Sequence, residues 1–435
     1  MDTLLAGSAA VDITPERPQW LDGYGNRTAP SEGAYQSIRA SGLALAQRDA
    51  ASAGFLLVCA EVLCFDRERT EPLKRRISLA TGVPFEAIVL SASHTHCAPR
   101  VCDMVMPGVV DAEYVSWFEA RCVEAAERAC ADLTAVRASV SRANDKLGVN
   151  RRFPVGDGVV SRSNPDGTRD ADVDTLWLRR LDGSLHTSWT IAATHPTSRG
   201  GPLIGGDYPG FLTRRIEDEL GGRALFSLGC AGDVRPNFTR DGSAFRMAEL
   251  DEVEVAGREM AQSVLASAAK AREIRVDRVR SGRCEIAATL AEEPSEGDFR
   301  FIQENDSSPL KREWARRMID EGRHPSTVPH EIQLLAMDPG LVCLFWSGEV
   351  VSDYALWFKE QTTGAPYQTM VAAYCNAAMG YVPSRSIYPQ GGYEVNGSHF
   401  YYRLPAPYAP VVEEQIRTAT LSLLQETMPW KREHS

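Results

Sequence analysis

The feature that most constrains this chain is the alternation of strand-length apolar runs with longer helical stretches. Runs at 41–47, 54–61, 87–93, 175–181, 187–194, 224–229, 341–347 and 369–374 predict strands. Between them, 66–80, 112–132, 209–220, 248–271, 350–362 and 410–427 predict helices. The stretch 112–132 shows a one-sided apolar stripe through Val115, Phe118, Cys122 and Ala126, and Asp111 stands at its start as an N-cap. This order of elements predicts an α/β fold, a mixed β-sheet core flanked by α-helices. No break in composition divides the chain, so one domain over 1–435 is expected. Two segments, 154–170 and 232–242, are rich in turn residues and read as loops. A third, 292–329, is polar apart from a helix-like piece at 311–321, and reads as a surface excursion or a lid over a site.

Charge narrows the function classes. With 47 basic and 58 acidic residues the net charge is −11, which argues against nucleic acid or an anionic membrane as partner. No stretch approaches the roughly 18 apolar residues that an integral membrane span needs. The amino-terminal residues lack a basic segment followed by an apolar one, so a cytoplasmic location is expected. Ten cysteines occur with no C-x-x-C pair, which predicts mostly buried free thiols and neither a disulfide framework nor a four-cysteine zinc.

Four segments carry candidate donor groups. Ser93-His94-Thr95-His96 directly follows the run at 87–90, and two histidines two apart share a side if the strand continues. His195 closes the run at 187–194, and Glu349 follows the very apolar Phe345-Trp346-Ser347-Gly348. Tyr381 follows a glycine turn after the run at 369–374. Each has a plain structural account as well: a capping or packed histidine, a carboxylate in the first turn of a helix, a core tyrosine. Together, two imidazoles and a carboxylate at the ends of buried strands suit a catalytic zinc with open coordination. Spacing alone does not select these four groups.

The residues that do so are Val11-Asp12-Ile13-Thr14-Pro15, Ser93-His94-Thr95-His96, Val149-Asn150-Arg151, His195-Pro196-Thr197-Ser198, Gly206-Asp207-Tyr208-Pro209-Gly210, Gly232-Asp233-Val234-Arg235-Pro236-Asn237, Gly348-Glu349, and Gly380-Tyr381 followed by Tyr393-Glu394. In this order the chain resembles the catalytic domain of the neutral ceramidase family, which hydrolyses the amide of N-acyl sphingosine. The resemblance implies a ceramidase-like catalytic domain in which His94, His195, Glu349 and Tyr381 are ligands of Zn2+. It further implies His96 beside the metal or facing substrate, Arg151 on the substrate side, and Tyr393 as an oxyanion donor. One departure matters: where the family carries a serine after Gly-Asp-Val, this chain carries Arg235, which cannot be a nucleophile but can bind an anion bidentately.

The function expected from these residues is zinc-dependent hydrolysis of an amide or ester by a metal-activated water. Tyr393 and Arg151 would stabilise the oxyanion, and His96 or Asp233 would handle the proton. Arg235, Asp207 and Asn237 are the expected substrate contacts, and the substrate is a small polar or anionic molecule. Self-association into a homo-oligomer is left open. Two alternatives stand beside this reading: a hydrolase assisted by Cys97 or Cys230, and a non-catalytic metal- or ligand-binding homologue.

Overall fold

Most of the apolar runs are continuous because their strands are buried on both faces: Phe55–Ala60, Ile88–Ala92 and Leu341–Trp346 have no exposed residue. A computed structural model, which describes residues 4–48 and 53–428, shows what covers the two sides. The larger sheet has nine strands. From one edge they run Arg223–Leu228, Leu185–Ala192, Asp172–Arg180, Thr134–Asn144, Leu4–Asp12, Arg39–Gln47, Phe55–Ala60 and Ile88–Ala92, and Arg272–Ile274 also pairs with Thr134–Asn144. The smaller sheet runs Val276–Thr289, Thr327–Pro339, Leu341–Trp346 and Gln368–Ala372. Both are mixed, as expected. Ile88–Ala92 is parallel to Phe55–Ala60, Arg223–Leu228 to Leu185–Ala192, and Gln368–Ala372 to Leu341–Trp346.

The sheets face each other across one apolar layer in which Phe345 of the smaller sheet stacks 5.7 Å from Trp189 and 5.8 Å from Phe55 of the larger. Helices cover the outer faces. Arg67–Thr81 and Ala112–Ala131 lie over one half of the large sheet, and Asp207–Leu220 with Leu250–Ala268 over the other. Val412–Thr427 and Ser352–Gln361 cover the small sheet. The result is four layers, helix–sheet–sheet–helix. Asp111 caps the Ala112–Ala131 helix as predicted, its carboxylate accepting from the backbone N–H groups of Glu113 and Tyr114. Among the described residues no helix is long and apolar enough to cross a membrane.

Two expectations need correction. The loop predicted at 154–170 contains most of a hairpin, Gly148–Val155 with Gly158–Asn164. Its exposed strands satisfy their backbone by pairing, and so need no apolar pattern. The excursion at 292–329 holds the expected helix, as Pro309–Glu321, and a second that was not expected, Glu296–Asn305, each started by a serine cap, Ser308 and Ser295. Phe299, Trp314 and Met318 of this pair form a small cluster with Val105 and Phe400. They brace the short helix His399–Tyr402 from behind.

Candidate metal centre

Strands that end at one edge of the two sheets bring the predicted donors together. His94 follows Ile88–Ala92, but the strand does not continue as the H-x-H reading required: His94 has φ 64, in the left-handed region that is strained for a residue with a side chain. The turn still sets the His94 and His96 rings 5.2 Å apart, centre to centre. His195 follows Leu185–Ala192, and its ring lies 4.6 Å from His94. The ring nitrogens of His94, His96 and His195 lie within 4.8 Å of one another, a group able to hold a metal ion. Gly348 at φ 82 makes the turn that delivers Glu349, which pairs in register with Tyr381.

Hydrogen bonds fix which atoms face the centre. His94 Nδ1 donates to the Leu63 carbonyl at 2.6 Å and His195 Nδ1 to the Ala231 carbonyl at 3.3 Å. A carbonyl can only accept, so each Nδ1 carries a proton, and in the neutral imidazole this leaves the lone pair on Nε2. Glu349 Oε2 is buried without a hydrogen-bond partner, 3.4 Å from His94 Nε2 and 3.8 Å from His195 Nε2. Tetrahedral zinc with ligands at ~2.1 Å separates its donors by about 3.4 Å. The donor set therefore fits such an ion. Burial pushes the pKa of His195 well below the usual histidine value, reinforced by His94 and His96, so its imidazole is neutral at physiological pH. His96 is lowered in the same way by burial and by His94, and its Nε2 lies 3.1 Å from His195 Nε2.

Around this cluster opens a cleft of about 350 Å³, lined by Arg151, Arg235, Tyr381, Tyr393 and Tyr24 as well as His96 and His195. Arg151 stacks over Tyr381 and Tyr393, 5.3 Å from each ring, and donates to Glu394 Oε1 at 2.7 Å and to the Gly232 carbonyl. A larger groove of about 820 Å³ runs along the solvent side of Leu250–Ala268 and contains none of these groups.

Three predicted residues stand outside the cleft. Asp233 is buried, with Oδ1 accepting from Ser352 and Oδ2 from Asn150. Burial raises its pKa to about 6, yet both oxygens are committed, one to the start of the helix Ser352–Gln361 and one to the strand Gly148–Val155. Asp207 is fully buried and accepts from the Ser198 and Arg199 backbones, so it anchors the loop after His195 and does not line the cleft. Asn237 is exposed and accepts from Ser163. Cys97 and Cys230 are buried; burial lifts Cys97 to about 12 and Cys230 well above the usual thiol value, so neither supplies a thiolate.

Tyr402 and Tyr374, which the sequence did not single out, join the site together with Glu394, which the sequence marked only as the neighbour of Tyr393. The Tyr402 hydroxyl donates to Glu349 Oε1, Tyr374 sets its ring 4.4 Å from His94, and Glu394 bridges Arg151 and Arg152. Because Tyr402 orients the carboxylate, Tyr402→Phe is expected to weaken the affinity of this centre for a divalent metal ion by about 10- to 100-fold, measured by competition with a chromogenic chelator. Unchanged affinity would show that Tyr402 only packs.

No family model and no curated protein matches the sequence. Solved structures match its fold. The chain is similar to neutral ceramidase from Pseudomonas aeruginosa, with TM-score 0.76 and 16% identity over 100% of this chain and 76% of that one. It is likewise similar to a ceramidase complexed with C2, with TM-score 0.74 and 16% identity over 97% and 75%. At this identity the likeness is one of fold: the chain has the neutral ceramidase fold.

Proposed function

We propose that this protein is a zinc-dependent hydrolase that cleaves an amide or ester in a small polar, anionic substrate. His94, His195, Glu349 and Tyr381 would hold the ion. The observation that carries the reading is Glu349 Oε2. It is a buried carboxylate oxygen with no hydrogen-bond partner, facing two imidazole lone pairs whose opposite nitrogens are pinned by carbonyls. A buried carboxylate is costly without a counter-charge, and a divalent cation supplies one. Zinc bound there would polarise a carbonyl and make hydroxide accessible near neutral pH.

The chain's own groups then divide the work. Arg151, fixed by Glu394, and Tyr393 present N–H and O–H donors to the cleft, suited to the negative charge that develops on a carbonyl oxygen. His96, kept neutral by burial, is placed to accept a proton and return it to the leaving group. Neutral ceramidase, named for the structure this fold resembles, supports amide cleavage as the reaction class. The anionic substrate is argued from Arg235, a cleft-lining cation.

Chelation tests this. Metal-free protein is expected to lose hydrolysis of N-acyl amino acids and small esters by at least ~100-fold, and equimolar zinc to restore it. Stoichiometric zinc binding with no turnover of amides, esters or lactones would instead establish a binding protein.

A further inference from the structure

We propose that Arg235 is a carboxylate-binding residue of the cleft, held ready by Phe245, so that the preferred substrate carries a carboxylate beside its scissile bond. This rests on the hydrolase reading for the word substrate, but not for the binding itself.

The argument begins with how the cleft arginines are used. Arg151 and Arg152 share one buried carboxylate, Glu394, with contacts of 2.7 and 2.5 Å. Both also donate to backbone carbonyls, of Gly232 and Gly391 respectively. Arg235 is different. It lies on Val234–Pro236, opposite Val149 of the strand that carries Arg151, and lines the same cleft. Among the described residues its guanidinium has neither an ion pair nor a hydrogen bond, and its Nε is buried without a partner. Burial lowers its pKa, the mark of a desolvated cation without a sufficient counter-charge. In a protein of net charge −11, a cation left unpaired in the cleft is not a feature of the general surface.

Phe245 explains how it is held. The Arg235 guanidinium lies 4.3 Å from the Phe245 ring centre, on the short hairpin Thr239–Arg240 with Ala244–Phe245. Stacking occupies one face of the planar ion and leaves its edge, where the N–H groups point in parallel, for a ligand. That edge matches a carboxylate, two oxygens for two N–H groups. A phosphate offers similar oxygens but brings nearly two negative charges, and of the three arginines lining the cleft only Arg235, among the described residues, has neither a carboxylate nor a carbonyl partner. One free guanidinium suits one negative charge.

Three probes with a common acyl chain decide the point: N-hexanoylglycine, N-hexanoylglycinamide and N-hexanoyl-O-phosphoethanolamine. Their binding to chelated, non-hydrolysing protein is measured by titration calorimetry near neutral pH. The carboxylate is expected to bind ~10- to 100-fold more tightly than the amide, and more tightly than the phosphate. The carboxylate-to-amide ratio should fall to within about threefold in Arg235→Gln and to an intermediate value in Phe245→Leu. Equal binding of carboxylate and amide by the unaltered protein, no carboxylate binding at all, a preference for phosphate, or a ratio unmoved by Arg235→Gln would each overturn the proposal. The unaltered protein decides even if a variant fails to fold. Hydrolysis is scored separately with zinc-loaded protein: intact carboxylate preference with no turnover of any probe removes the hydrolase reading and leaves the clamp.

Discussion

His195→Ala is expected to abolish both bound zinc and turnover, with kcat/KM falling by at least ~1,000-fold, about 4 kcal/mol of lost transition-state stabilisation. Removing this imidazole deletes a lone pair whose orientation the Ala231 carbonyl fixes, and leaves Glu349 Oε2 facing His94 alone, 3.4 Å away. Three protein donors in place of four around a buried point, with one of the two imidazoles gone, hold a divalent ion poorly. Metal content by mass spectrometry and kcat/KM on an N-acyl amino acid should therefore fall together. Zinc should also raise the thermal midpoint of the unaltered protein, because it binds the assembled site and not the unfolded chain. The variant should lose that rise. A His195→Ala protein with full zinc and full activity would remove the ion from the proposed position.

His94 and His195 were legible because each ends an apolar run, and buried strands that stop at one sheet edge bring their next residues together. The Leu4–Asp12 strand was not. It lies in the middle of the large sheet, yet its sequence is mostly small residues. The cause is the helix Ala112–Ala131, which sits directly on it. A Cβ on Gly7 would lie 2.0 Å from the Ala129 carbonyl oxygen, and one on Gly42 in the neighbouring strand 2.6 Å from that of Ala125. Close helix–sheet approach selects glycine and alanine there, which erases the β-branched signal that strand prediction needs. Val276–Thr289 was hidden for a different reason: one long strand half-exposed along its length carries charge on its open face. The contacts that finish the site were hidden by distance. Tyr402 reaches Glu349 across 53 residues, and Glu394 reaches Arg151 across 243. Neither lies in a periodic element whose pattern could announce it. Asp207 and Asn237 lie outside the cleft because a short motif marks a turn as readily as a binding group, and Asp207 serves the backbone of the loop after His195.

Glu394 is the position where stability and chemistry meet, and Glu394→Gln should damage both. Its carboxylate is 3% exposed and pairs with Arg151 and Arg152, which are 11% and 4% exposed. An amide cannot neutralise two guanidinium ions, and uncompensated buried charge is among the costliest defects a fold can carry, about 3 to 5 kcal/mol for a broken pair. The denaturant midpoint should fall accordingly. Burial alone would raise the Glu394 pKa, but Arg151 and Arg152 together outweigh it and hold the group below the ordinary carboxylate value. A depressed native pKa contributes stability above the unfolded value, which is lost as pH falls through the native one. The gap between the two proteins should thus be full near neutral pH and close at strongly acid pH, below the ordinary carboxylate range. Activity should fall by about 100-fold, since Arg151 loses the partner that aims it into the cleft. A stability gap that did not narrow on acidification would mean that Glu394 acts by shape and not by charge.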